Sequence, residues 1–305
     1  MRLSRLADIT LICVAFIWGA TFVVVQSAIE FLPPFMFNGI RFLLAALPLV
    51  VVLALKRTPI IKRSIWYGVI LGSFLFIGYA FQTLGLLFTT PSKAGFVTGL
   101  SVVMVPLFLF IFFKSHPSKG AITGSILAAI GLYLLMAGHS QAFNIGDALV
   151  FICAFGFALH IIYTDYFTKK ASLLLLTTVQ LCTVGILSMG CAFIWEHPKV
   201  VLNNGALANK EVITALLITS LLATLLAFIT QTFAQRYTTP SKVAIIFTLE
   251  PVFAAFCSYL WIDERLGALA ITGSGLIVIG MLFSELPIFA WMLRKMNRDH
   301  SVEVK

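Results

Sequence analysis

Glu250-Pro251 and Arg41 are the residues of this sequence whose types and places most demand a chemical explanation. Each stands inside an apolar run long enough to cross a bilayer, where a charged side chain costs roughly 3 kcal/mol on insertion scales. A charge kept at such a cost marks a substrate or ion path, or a specific partner on a neighbouring helix. Pro251 sharpens the case. It has no N–H and clashes with the carbonyl four residues back, so the Phe247 carbonyl loses its helical partner. A freed carbonyl beside a carboxylate offers a spot for a cation or a substrate; the plainer reading is a structural carboxylate satisfied by a neighbour. At 1.5 Å rise per residue, Arg41 and Glu250 differ in depth by about 7 Å. Arg41 therefore pairs with that carboxylate, snorkels to the interface, or meets an anionic group of a substrate.

Gln82-Thr83 and Gln231-Thr232 form a second set. Their amides either tie helices together or line a vestibule at each side of the membrane. Trp18, Tyr79, Thr98, Ser101 and His160 are further polar or aromatic candidates near mid-depth. Other chemistries lack their residues. The five cysteines lie in apolar runs without metal-ligand spacing, and the five histidines are scattered, so no metal site is expected. No GxxxxGK[ST] loop for ATP is present, and no cofactor is expected.

The elements that must position these residues are membrane helices. Of 305 residues, 60% are hydrophobic and 11% charged, and the mean hydropathy is +1.02. A soluble domain carries about a quarter charged residues. Ten nearly charge-free stretches, near 8–28, 35–55, 64–87, 93–113, 120–137, 146–166, 172–194, 212–235, 242–261 and 267–290, are each long enough to span. The first follows Arg2 and Arg5 but is too long for a secretory signal and lacks a cleavage pattern, so it is expected to remain as a helix. Pro106 and Pro251 are the expected helix kinks of spans 4 and 9.

The chain repeats itself. Gln82-Thr83 and TTPSK at 89–93 recur as Gln231-Thr232 and TTPSK at 238–242, an offset of 149 (231 − 82). Seventeen of fifty ungapped positions from Gln82 to Gly131 match, polar residues included. The beginnings of the halves align at an offset of 139, with Asp8 opposite Asp147 and Arg41 opposite Gln180. Ser101 stands opposite Glu250, so the carboxylate has no symmetry mate. The extra ten residues fall in the polar loop Glu196–Lys210. Asp8 and Asp147 begin their spans, where a carboxylate suits the positive end of a helix.

Five spans, an odd number, separate the two TTPSK blocks, so the second half is inverted relative to the first, as in many transporters. Basic residues agree. Of 21 Lys and Arg residues, Lys93, Lys199, Lys210 and Arg265 fall on one side and Arg41 lies within a span; the other sixteen fall on the side of the amino terminus. This positive-inside bias places both termini in the cytoplasm. It also accounts for the net charge of +9 without a nucleic-acid partner. Glycines spaced four apart (Gly68 and Gly72, Gly95 and Gly99, Gly120 and Gly124) favour close helix packing, first within one chain, with a homodimer face as the second reading.

Trp18-Gly19, Arg41, the segment 89–106 (TTPSKAGFVTGLSVVMVP) and LEPVFAAF at 249–256 followed by Asp263-Glu264-Arg265 resemble the EamA family of the drug/metabolite transporter superfamily. The resemblance covers essentially the whole chain. It implies a ten-helix basket in which spans 1–4 and 6–9 surround a substrate cavity, with spans 5 and 10 outside. It makes Trp18, Arg41, Gln82 and Glu250-Pro251 cavity or gate candidates. Gln180 opposite Arg41 departs from a symmetric clamp.

The expected protein is an all-α, multi-pass protein of the plasma or inner membrane, with repeats at 1–138 and 139–305. The expected activity is secondary transport of a small organic metabolite such as an amino acid, by export or exchange, with a proton or counter-substrate as coupling partner. An integral membrane enzyme on lipid substrates would need clustered His, Asp or Ser. A channel would need a charge ring or pore loop.

Overall fold

The computed structural model describes residues 2–57, 59–136, 144–197, 205–262 and 267–285. His139, Lys199, Asp263-Glu264-Arg265 and the basic tail after 285 lie outside the described residues. Among the described residues the fold is helical, without strands. Span 1 is Arg2–Ile29, span 2 Pro34–Leu55, span 3 Lys62–Gly85, span 6 Ile145–Thr168 and span 7 Leu173–Trp195. Spans 5 (Lys119–Met136) and 10 (Ala268–Glu285) are shorter. Spans 4, 8 and 9 are interrupted. Span 4 is Pro91–Gly99 and Ser101–Phe113, and span 9 is Pro240–Phe247 and Leu249–Ile262. Span 8 runs Lys210–Ile218, a π-helical stretch Thr219–Leu226, then Ala227–Ala234. Eight spans are long and apolar enough to cross a membrane by themselves, and the two shorter apolar helices complete the ten.

Local chemistry starts these helices. In each TTPSK block a proline occupies the first turn, where its missing N–H costs nothing. Thr90 Oγ1 accepts from the Lys93 amide at 3.3 Å. Asn144 and Asp147 form a reciprocal capping box at the start of span 6. Asp8 has no such role, because its helix already begins at Arg2. Glu196, at the edge of the long polar loop, caps span 2 instead: its carboxylate oxygens accept from the Phe35 and Met36 amides at 2.7 Å each. Burial holds the Glu196 carboxyl above the usual carboxylate range, and the two amides oppose that rise.

Three pairs of equivalent spans pack directly on each other, 2 with 7, 4 with 9 and 5 with 10, and 2 with 7 and 5 with 10 run antiparallel. Gly39 lies against Met189 while Gly185 lies against Leu43, so span 2 opposes span 7. Gly131 lies against Gly273 and Ile277 while Gly280 lies against Gly124 and Ala128, so span 5 opposes span 10. Spans 4 and 9 cross with the first part of each against the second part of the other. This is the packing that an inverted repeat requires. The paired glycines serve contacts within the chain: a Cβ on Gly72 would come 2.8 Å from the Gln180 carbonyl.

The two interruptions at mid-span are also related. Span 4 breaks at Leu100 and span 9 at Thr248, positions one residue apart under the 149 offset. Both breaks are tightened turns: the Leu100 amide bonds the Val97 carbonyl and the Thr248 amide the Ile245 carbonyl, three residues back. Thr248 Oγ1 takes the same Ile245 carbonyl at 2.6 Å. The second break lies where Pro251 frees Phe247. The first is six residues before Pro106, which lies inside the continuous helix Ser101–Phe113.

Candidate functional site

The interrupted spans frame a small space between the halves. A central cavity leaves about 40 Å³ for the centres of water molecules, and a second, adjoining one leaves about 30 Å³. A single water needs about 10–15 Å³ by this measure. At that size the space takes a few waters.

Eight of the nine candidates from the sequence line the central cavity: Trp18, Tyr79, Gln82, Thr98, Ser101, His160, Gln231 and Glu250. Pro251 joins them there, while Pro106 does not. Arg41 lines the second cavity, which shares Trp18, Tyr79, Gln82 and Glu250 with the first. Arg41 and Glu250 thus line a common space. They form no ion pair within 4 Å; the described pairs are Lys93–Asp147, Lys169–Asp165 and Lys242–Asp8.

What holds Arg41 instead is span 8. Its Nε donates to Thr224 Oγ1 at 2.6 Å and Nη2 donates to the Ala223 carbonyl at 3.4 Å. The same carbonyl accepts Trp18 Nε1 at 2.8 Å. Ala223 and Thr224 lie in the π-helical stretch, whose wider turn presents backbone groups to neighbours, a frequent device at functional sites. The guanidinium also sits 4.9 Å from the Tyr79 ring centre, within cation–π range. Arg41 is 3% exposed, yet it is fixed without a counter-charge among the described residues.

Glu250 is fixed differently. Its backbone carbonyl lies against Gly19: a Cβ there would come within 2.5 Å of it. Glycine at 19 is what lets span 1 approach span 9 at the break. The Glu250 side chain is half-buried, lines both cavities, and has no hydrogen-bond or ion-pair partner among the described residues. An unpaired carboxylate in such a place is either neutral or awaits a cation.

The remaining polar groups divide by half. Gln82 Nε2 donates to Thr98 Oγ1 at 3.1 Å. Gln231, its counterpart, keeps a buried Oε1 without a partner among the described residues. Gln180, opposite Arg41 in the repeat, joins a chain: it donates to Thr232 Oγ1 at 3.2 Å and its Oε1 meets His160 Nε2 at 2.9 Å. Since the Gln180 oxygen accepts, His160 carries its proton on Nε2 in this arrangement.

Aromatic walls complete the site and were not singled out from sequence. Phe228 and Phe247 pack 5.5 and 4.9 Å from Trp18, and Phe157 packs 5.3 Å from Tyr79. Two of them carried a signal. Phe228 is the repeat counterpart of Tyr79 (79 + 149), and Phe157 is that of Trp18 (18 + 139). The π-helical stretch TSLLATLL carries no proline or glycine and gave no warning.

The fold and this space define a multi-pass, two-repeat membrane protein with a central site between its halves. The chain belongs to the EamA-like transporter family, whose profile matches twice, over residues 5–137 and 144–286. An uncharacterized transporter of Archaeoglobus fulgidus is 35% identical over 92% of this chain and 86% of its own length. A probable amino-acid metabolite efflux pump of Escherichia coli K12 is 24% identical over 92% of this chain and 94% of its own. A solved crystal structure shares the fold with a TM-score of 0.74 over 92% of this chain and 98% of that chain, at 15% identity. The chain is a membrane transporter.

Proposed function

We propose that this transporter moves a small zwitterionic metabolite, of the amino-acid kind, by alternating access, as an exporter or exchanger of the plasma or inner membrane with both termini in the cytoplasm. The observation that carries the reading is that Glu250 and Arg41, opposite in charge type, line one cavity without pairing. A carboxylate of the substrate meets the Arg41 guanidinium, bidentate geometry favouring arginine over lysine. An ammonium meets Glu250. The aromatic walls take an apolar side chain. Inverted halves give two nearly equivalent arrangements around one site, open to either side.

With no ATP loop in the sequence, the driving force is a gradient. A half-buried, unpartnered Glu250 suits proton coupling: it loads protonated from one side and discharges to the other when the substrate ammonium competes for it. Purified protein in liposomes, screened by counterflow against a panel of amino acids and related metabolites, tests the substrate class. Saturable counterflow of a zwitterion is the expected result; flux confined to uncharged or lipid-like compounds contradicts the reading. Under an imposed pH gradient, Glu250→Gln is expected to transport without responding to the gradient. Full gradient dependence in that variant removes the coupling role.

A further inference from the structure

The doubled TTPSK block does more than start two helices. Each of its lysines reaches the aspartate near the start of a span in the other half. Lys93 Nζ lies 2.8 Å from Asp147 Oδ2, and Lys242 Nζ lies 3.8 Å from Asp8 Oδ2. The repeat offsets turn one pair into the other, since 93 + 149 is 242 and 8 + 139 is 147. Because the halves are inverted, the two pairs occupy opposite ends of the bundle.

They are not equally closed. At the first, Asp147 also accepts Thr89 Oγ1 at 2.6 Å and the Asn144 amide at 3.0 Å. Its ion pair is enclosed, the two side chains being 6% and 2% exposed. At the second, the side chains are 24% and 12% exposed. The atoms that should repeat the threonine bond, Thr238 Oγ1 and Asp8 Oδ1, are buried without partners among the described residues. Unpartnered buried oxygens are costly, so this end gains by closing further. A steric difference accompanies the asymmetry. At the tight end Gly146 lies against the Gly85 backbone, where a Cβ would come within 2.7 Å of the Gly85 carbonyl. At the slack end the counterparts are Ala7 and Ala234, whose methyl groups oppose so close an approach.

We propose that Lys93–Asp147 and Lys242–Asp8 are the outer and inner latches of the transport cycle, one engaged while the other is slack. The inference rests on the alternating-access reading and assigns gating residues outside the substrate site. In the conformation seen, the outer latch is engaged and the inner one is slack. Reversal of the two is what the inverted halves accomplish when they exchange arrangements.

A reporter cysteine tests this in cells. Val25→Cys places a thiol on the wall of the cavity nearer the Asp147 end. Labelling by a membrane-impermeant maleimide from outside is read against the parent chain with its native cysteines. Asp147→Asn is expected to raise labelling several-fold. The charge-free pair Lys93→Met with Asp147→Asn is expected to do the same, and it covers the case in which an uncompensated Lys93 prevents folding. Asp8→Asn, at the far end, is expected to lower labelling. A merely local structural role would leave that last arm unmoved. If Asp8→Asn fails to lower labelling while substrate still shifts the wild-type reporter, the latches are refuted and alternating access stands. If substrate never shifts wild-type labelling, alternating access falls and the latches with it.

Discussion

Arg41 shows what a single residue tells and withholds. Its cost within the bilayer is legible from sequence, and so is its role as one of a handful of polar groups near a common depth. Its partner is not, because which neighbour a guanidinium meets depends on helix azimuth, and span boundaries leave that open. The structure gives Arg41 to Thr224 and Ala223 rather than to Glu250. That arrangement needs the planar fork of arginine. Arg41→Lys keeps the charge but gives up the fork. It is expected to lower counterflow at sub-saturating substrate by about tenfold, the equivalent of roughly 1.4 kcal/mol, about what one hydrogen bond contributes. Initial rates at several substrate concentrations check this. Unchanged rates would show that the guanidinium geometry is dispensable.

Helices and their breaks carry the next scale. Apolar length locates ten spans, and the repeat locates their equivalents, but neither locates the interruptions. Proline stands three residues after the break in span 9, whereas the break in span 4 has no proline beside it and lies where span 4 crosses span 9. The π-helical stretch of span 8 has no local signal in the sequence; in the fold its Ala223 carbonyl accepts from Trp18 and Arg41. Gly19 is the element-scale counterpart of these features. Gly19→Ala drives a methyl into the Glu250 carbonyl and the Ala254 amide. Overpacking of that kind costs about 1–3 kcal/mol, so a lowered midpoint of thermal unfolding in detergent is expected, with transport impaired beyond the loss of folded protein. A variant of normal stability and activity would mean that span 1 and span 9 need not approach so closely.

At the scale of the whole molecule, inversion was the most legible property, because it follows from counting spans between two copies of one motif. Antiparallel packing of span 2 on span 7, and of span 5 on span 10, expresses it in three dimensions. Reporter fusions after Thr90 and after Thr239 are expected to read opposite sides of the membrane, with the Thr239 side cytoplasmic. The difference between the two Lys–Asp ends was not legible, since identical motifs stand at both; only their environments differ. Alternation between two such ends is the central claim, and trans-stimulation measures it most directly. In proteoliposomes, efflux of a labelled substrate is compared with and without unlabelled substrate outside. Alternating access predicts faster, saturable efflux when substrate waits on the far side. Efflux that rises linearly with concentration and ignores external substrate would contradict it.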